Sequence, residues 1–126
     1  MTGWTEPVWL EWTDPVSQYE SLATAVRILA EGRSTFSQRM DEATFALTRW
    51  QVEDFPQRIR ERARKVLSVR SAVRADYPAG SLFQFGRLTV KERRALVGDI
   101  ISLYAACLLD LSKIEHFREI VYPEDR

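Results

Sequence analysis

Apolar residues recur at helical spacing in four stretches of this chain, and no stretch of useful length alternates as a β-strand does. In the first stretch the apolar positions lie three or four residues apart and share one face: Val16, Tyr19, Leu22, Val26 and Leu29. Asp14 can cap this helix, Pro15 suits its first position and Gly32 suits its end. The pattern predicts a helix over 15–31.

The second stretch alternates spacings of four and three, which is typical of a helix in a bundle: Phe36, Met40, Ala43, Leu47 and Trp50. This helix has to end before Pro56, because the residue preceding a proline disfavours helical geometry. We predict that it covers 35–53. A third helix is predicted over 56–75, with Asp54 near its cap. Its apolar stripe is narrow and includes Arg70 where an apolar residue is expected.

The fourth stretch, predicted to be a helix over 90–111, is the most apolar part of the chain. Thr89 and Glu92 fit a capping box, in which a hydroxyl and a carboxylate three residues later bond to each other's backbone amides. From 96 to 111 the helix is apolar over most of its circumference. Such a helix has to be covered on nearly all sides. We therefore expect it to be either the central helix of the bundle or the middle of a dimer.

An irregular arm is predicted over 1–13. It contains Trp4, Trp9 and Trp12 but has no helical period. Each indole can bury on the order of 200 Å², so three of them are not expected to remain in water. We expect the arm to lie across the chain's own bundle; the alternative is that it packs onto a neighbouring subunit.

The same pattern of residues predicts two further segments. A long loop is predicted at about 76–88, and its aromatic residues Phe83 and Phe85 are expected to pack over one end of the bundle. After a bend near Ser112, a last helical piece is predicted over 113–121. The fold class is all-α, and residues 1–126 are predicted to form a single-domain bundle of four to five helices.

Composition excludes some classes of protein. The apolar fraction of 45% and the charged fraction of 29% argue against global disorder. One cysteine, Cys107, allows no internal disulfide and no cysteine-based metal cluster. The first residues lack the features of a signal peptide, and the longest apolar run, 103–109, is far short of the ~20 residues that cross a bilayer. We expect a soluble cytoplasmic protein.

Charge is balanced overall, with 18 basic and 18 acidic residues, but residues 58–94 hold eleven basic residues against three acids. We define the basic surface as the candidate phosphate-binding residues of that segment: Arg58, Arg60, Arg62, Arg64, Lys65, Arg74, Arg87, Lys91, Arg93 and Arg94. Such a surface binds nucleic acid through its phosphates. Alternatively, the arginines pair with acids of this chain or of a neighbouring subunit. The zero net charge favours pairing, since dedicated nucleic-acid binders are usually basic.

The residue types needed for catalysis are scarce. His116 is the only histidine, and it lies among charged residues of the predicted last helix. Cys107 lies in the most apolar segment, where a thiol usually acts as a small hydrophobe. Asp99 and Asp110 are eleven positions apart, about 16 Å along a helix, which is too far to act on one bond. Both are expected to pair with arginines of neighbouring helices.

The sequence therefore predicts a non-catalytic helical interaction protein that self-associates, as a homo-oligomer, or acts as a small subunit of a larger assembly. No catalytic residue, metal ligand or cofactor is predicted. The candidate interface residues are the aromatic ones of the arm and the loop: Trp4, Trp9, Trp12, Phe83 and Phe85. The alternative prediction is a nucleic-acid-binding helical subunit that uses the basic surface.

Overall fold

The computed structural model describes residues 11–31, 34–76 and 88–113, with the backbone alone at 69–76. These residues form four α-helices and no strand, which confirms the all-α class. The helices are α1 (Pro15–Glu31), α2 (Phe36–Phe45), α3 (Arg60–Asp76) and α4 (Val90–Leu111). Two short 3-10 turns, Val52–Asp54 and Gln57–Ile59, lie between α2 and α3.

The helices α1 and α4 have the predicted bounds, because each has a local capping residue. The Asp14 carboxylate accepts a hydrogen bond from the Ser17 amide at 3.2 Å. At the start of α4, the Thr89 hydroxyl accepts from the Glu92 amide at 3.1 Å, while the Glu92 carboxylate accepts from the Thr89 amide at 2.8 Å. The predicted capping box is therefore confirmed.

The second helix is shorter than predicted, since α2 ends at Phe45 and not at 53. The Thr44 hydroxyl donates to the Met40 carbonyl at 2.7 Å, and the Thr48 hydroxyl donates to the Phe45 carbonyl at 2.7 Å. Such bonds compete with the helical pattern and satisfy carbonyls at a helix end. A turn over 46–49 follows. Leu47 and Trp50 lie beyond the end of the helix but are buried, so their prediction as apolar core positions is confirmed.

The third helix also starts later than predicted. Residues after Pro56 form a 3-10 turn, and α-helical geometry begins at Arg60. Asp54 does not cap this helix. Its carboxylate accepts instead from the Gln51 amide at 2.8 Å and the Thr13 hydroxyl at 2.9 Å. The buried Gln18 side chain donates to the Asp54 carbonyl at 3.0 Å, so this turn is fixed against α1.

The core lies between α1 and α4, with α2 packed on α1 and α3 packed on α4. The largest fully buried apolar side chains are Phe55, Leu22, Met40, Leu47, Ile100, Leu103, Leu111 and Val66. Tyr19 of α1 and Tyr104 of α4 stack with their ring centroids 5.6 Å apart. One side of α4 is therefore buried by two neighbouring helices.

The remaining predicted segments fall largely outside the described residues. These are the arm before Glu11, the centre of the 76–88 loop and the last helix beyond Lys113. Within the described helices, none is both long enough and apolar enough to span a bilayer.

Candidate functional site

The side of α4 that faces away from the core is apolar and exposed. Its exposed residues follow one another at spacings of three and four, and we call them the outward strip: Ala95, Gly98, Ile101, Ala105 and Leu109. Ile101 is 47% exposed and Leu109 is 61% exposed. Asp99, the one carboxylate within 95–109, lies off the strip and is half-buried beside Lys65 of α3, and the next residue after the strip, Asp110, is buried. The strip is thus free of charge along 95–109.

This exposure bears on one question that the sequence left open. A helix that is apolar nearly all round was expected to be covered on nearly all sides. Among the described residues, α1 and α3 pack on α4 from the core side but leave the outward strip uncovered. Both alternatives for α4, the central helix of the bundle and the middle of a dimer, remain predictions.

A groove of about 440 Å³ adjoins the outward strip at the amino-terminal end of α4. Its walls are mainly apolar, and the lining residues are Phe36, Val90, Arg93, Arg94, Val97, Gly98 and Ile101. Gly98 faces the open space of the groove, because a Cβ atom at this position would meet no other atom within 4 Å. The Arg93 guanidinium lies over the Phe36 ring at 5.2 Å, and its Nε donates to the Leu88 carbonyl at 3.1 Å. We call this feature the α4 groove.

Part of the basic surface is used inside the chain. Arg58 forms ion pairs with Glu11 at 3.1 Å and with Asp110. Arg60 donates to the Phe55 carbonyl at 2.9 Å. Arg64 pairs with Glu61 at 2.6 Å.

The remaining described members are exposed and make no ion pair or side-chain hydrogen bond within the described ranges: Arg62, Lys65, Lys91 and Arg94. The side chain of Arg74 and all of Arg87 lie outside the described part of the chain. Within the described part of the basic surface, the unpaired cations are therefore divided between two helices, with two on α3 and two near the start of α4.

Of the five candidate aromatic interface residues, only Trp12 is described. It is buried at 2% exposure and packs edge-on against Phe55, with ring centroids 5.6 Å apart. Trp12 is therefore removed from the surface, while the placement of the rest of the arm remains a prediction. Trp4, Trp9, Phe83 and Phe85 lie outside the described residues.

Asp110 is the centre of a buried polar cluster near the end of α4. Its carboxylate accepts from Trp12 Nε1 at 2.8 Å, binds the Arg58 guanidinium and lies 3.9 Å from the Lys113 ammonium. Asp110 pairs with an arginine as expected, although Arg58 lies in a 3-10 turn and not in a neighbouring helix. Asp99 makes no such pair within the described residues. The Trp12 indole bonds the Asp110 carboxylate, and Arg58 and Lys113 neutralise it. Asp110 therefore holds separate parts of the fold together and is not exposed to a ligand.

Cys107 is fully buried, as expected for a thiol in the most apolar segment. Burial, and secondarily the nearby Asp110 carboxylate, raises the pKa of the Cys107 thiol to about 12. The thiolate, which is the reactive form, is therefore scarce at neutral pH. Across 11–31, 34–76 and 88–113, no three His, Cys, Asp or Glu side chains are grouped so as to hold a metal ion. His116 lies outside these ranges.

A second groove of about 450 Å³ lies between the turn after α2 and the helix α3. Three of its polar side chains bond within the chain: Thr48 to the Phe45 carbonyl, Arg64 to Glu61 and Ser68 to the Lys65 carbonyl. Fewer of its polar groups are therefore available to a ligand. The outward strip and the α4 groove are the stronger candidate site.

No family model matches the chain, and no curated protein or solved structure is significantly similar to it. The candidate site is therefore supported only by the positions and exposure of its residues. Sequence reasoning missed Phe36 as a groove residue, because its position beside α4 depends on tertiary packing. The outward strip itself was indicated by the apolar circumference of the fourth predicted helix.

Proposed function

We propose that the protein is a non-catalytic helical interaction module that self-associates or acts as a small subunit of a larger assembly. The observation that carries this proposal is the outward strip, an uncharged row of exposed apolar positions on the longest described helix. Contiguous apolar surface of this kind marks binding sites in soluble proteins more often than isolated exposed residues do. The α4 groove adds a concave, mainly apolar surface next to the strip.

The experiment compares solution mass for three proteins over a range of concentrations by light scattering on a size-exclusion column. The first is the unmodified chain, and the second carries Ile101→Glu and Leu109→Glu on the outward strip. The third carries Phe45→Glu, which changes an equally exposed apolar residue, 65% exposed, near the end of α2. We expect the unmodified chain and the Phe45 variant to gain mass with concentration, and the strip variant to remain monomeric.

If all three proteins remain monomeric, self-association is excluded and the subunit role is tested by co-purification with the same variants. A partner retained equally by the strip variant and by the unmodified chain would contradict the proposed surface. Thermal unfolding of each variant is the control for folding, since substitutions at exposed positions are expected to change stability by less than about 0.5 kcal/mol.

Nucleic-acid binding is the weaker candidate, because Arg58, Arg60 and Arg64 are bonded within the chain. The ratio of absorbance at 260 and 280 nm in the same column runs tests it. A nucleic-acid ratio that falls with added salt, and that is abolished by Arg62→Glu with Lys65→Glu, would place this function first.

A further inference from the structure

We draw no further inference here: the strongest candidate, the outward strip of α4 with the adjoining α4 groove, belongs to the site already described, and nothing in the structure shows what covers it.

Discussion

Trp12 and Asp110 are 98 positions apart in the sequence, yet the indole Nε1 donates directly to the Asp110 carboxylate at 2.8 Å. This bond attaches the segment before α1 to the last turns of α4. Arg58, from the 3-10 turn before α3, binds the same carboxylate. One buried side chain therefore fixes three separate parts of the chain, and its neighbours are the natural targets for testing the fold.

Replacing Asp110 with alanine is expected to lower the free energy of unfolding by about 2–3 kcal/mol. The change leaves the buried Trp12 donor without an acceptor, a loss of about 1–3 kcal/mol in itself. It also removes the partner of Arg58, although the guanidinium is 43% exposed and water compensates part of that loss. Urea unfolding measures the effect. Asp99→Ala, on the same helix, is the control and should cost less than about 0.5 kcal/mol; equal costs would contradict the role of the cluster.

Replacing Trp12 with phenylalanine separates the hydrogen bond from the packing. The aromatic ring can still contact Phe55, so the expected cost is about 1 kcal/mol for the lost bond to Asp110. Trp12→Ala removes the packing as well and should cost about 3–5 kcal/mol. Because Trp12 and Asp110 share one bond, the cost of Trp12→Phe should shrink when Asp110 is already alanine. Strict additivity in the double variant, measured by urea unfolding, would show that the bond contributes nothing.

Local capping chemistry made α1 and α4 predictable from the sequence. Asp14 and Thr89 stand next to the amides that they bond, so neighbouring residues determine where these helices begin. The end of α2 was predicted wrongly, because Thr44 and Thr48 bond back to carbonyls in competition with the helix. Trp50 is then held in the core by its bond to Ser21 at 3.0 Å, a tertiary contact.

The candidate site was predictable only in part, for a similar reason. The apolar circumference of α4 indicated that this helix needs a partner, but the sequence did not say which side remained open. That depends on where α1 and α3 pack. An arginine partner for Asp110 was expected from charge alone. The hydrogen bond from Trp12 was not expected, because Trp12 and Asp110 are separated by nearly the whole described chain.

The capping box of α4 predicts a specific pH dependence. The Thr89 amide, and secondarily the Thr89 hydroxyl, hold the pKa of Glu92 below its ordinary value of 4.5. A carboxylate with a lowered pKa stabilises the fold above pH 4.5, and this stabilisation is lost as the pH falls through the lowered pKa. Glu92→Gln should therefore be less stable than the unmodified chain at pH 7, and the difference should shrink below pH 4.5.

The start of α2 provides the matched control for that measurement. Its capping box has the same pattern of bonds, but the residue that accepts from the cap amide is uncharged. The Thr35 amide donates to the Gln38 side chain at 3.0 Å. Gln38→Glu should add a pH dependence of the same sign to the free energy of unfolding. If neither variant changes the pH profile in urea unfolding, the capping carboxylate does not contribute to stability through its charge.

Cys107 is expected to react with thiol reagents only when the protein unfolds. Its side chain is buried and its pKa is raised to about 12, so both access and thiolate formation are suppressed in the folded state. Labelling at pH 8 should be slow in buffer and complete in denaturant, following the unfolding curve. Ser102→Cys supplies an internal standard, because its new thiol should react in buffer. Rapid labelling of the unmodified chain without denaturant would show that this part of α4 opens.

Replacing Gly98 with alanine is expected to have opposite effects on folding and on association. A Cβ atom at this position meets nothing within 4 Å, so the substitution costs no packing inside the chain. Glycine within a helix is less favourable than alanine by about 0.5–1 kcal/mol, and the free energy of unfolding should rise by that amount. On the outward strip, however, the added methyl group occupies part of the α4 groove, which the proposed association uses. The self-associated state should therefore dissociate at higher concentrations than that of the unmodified protein, as measured by light scattering. A variant that is more stable and associates equally well would place Gly98 outside the contact.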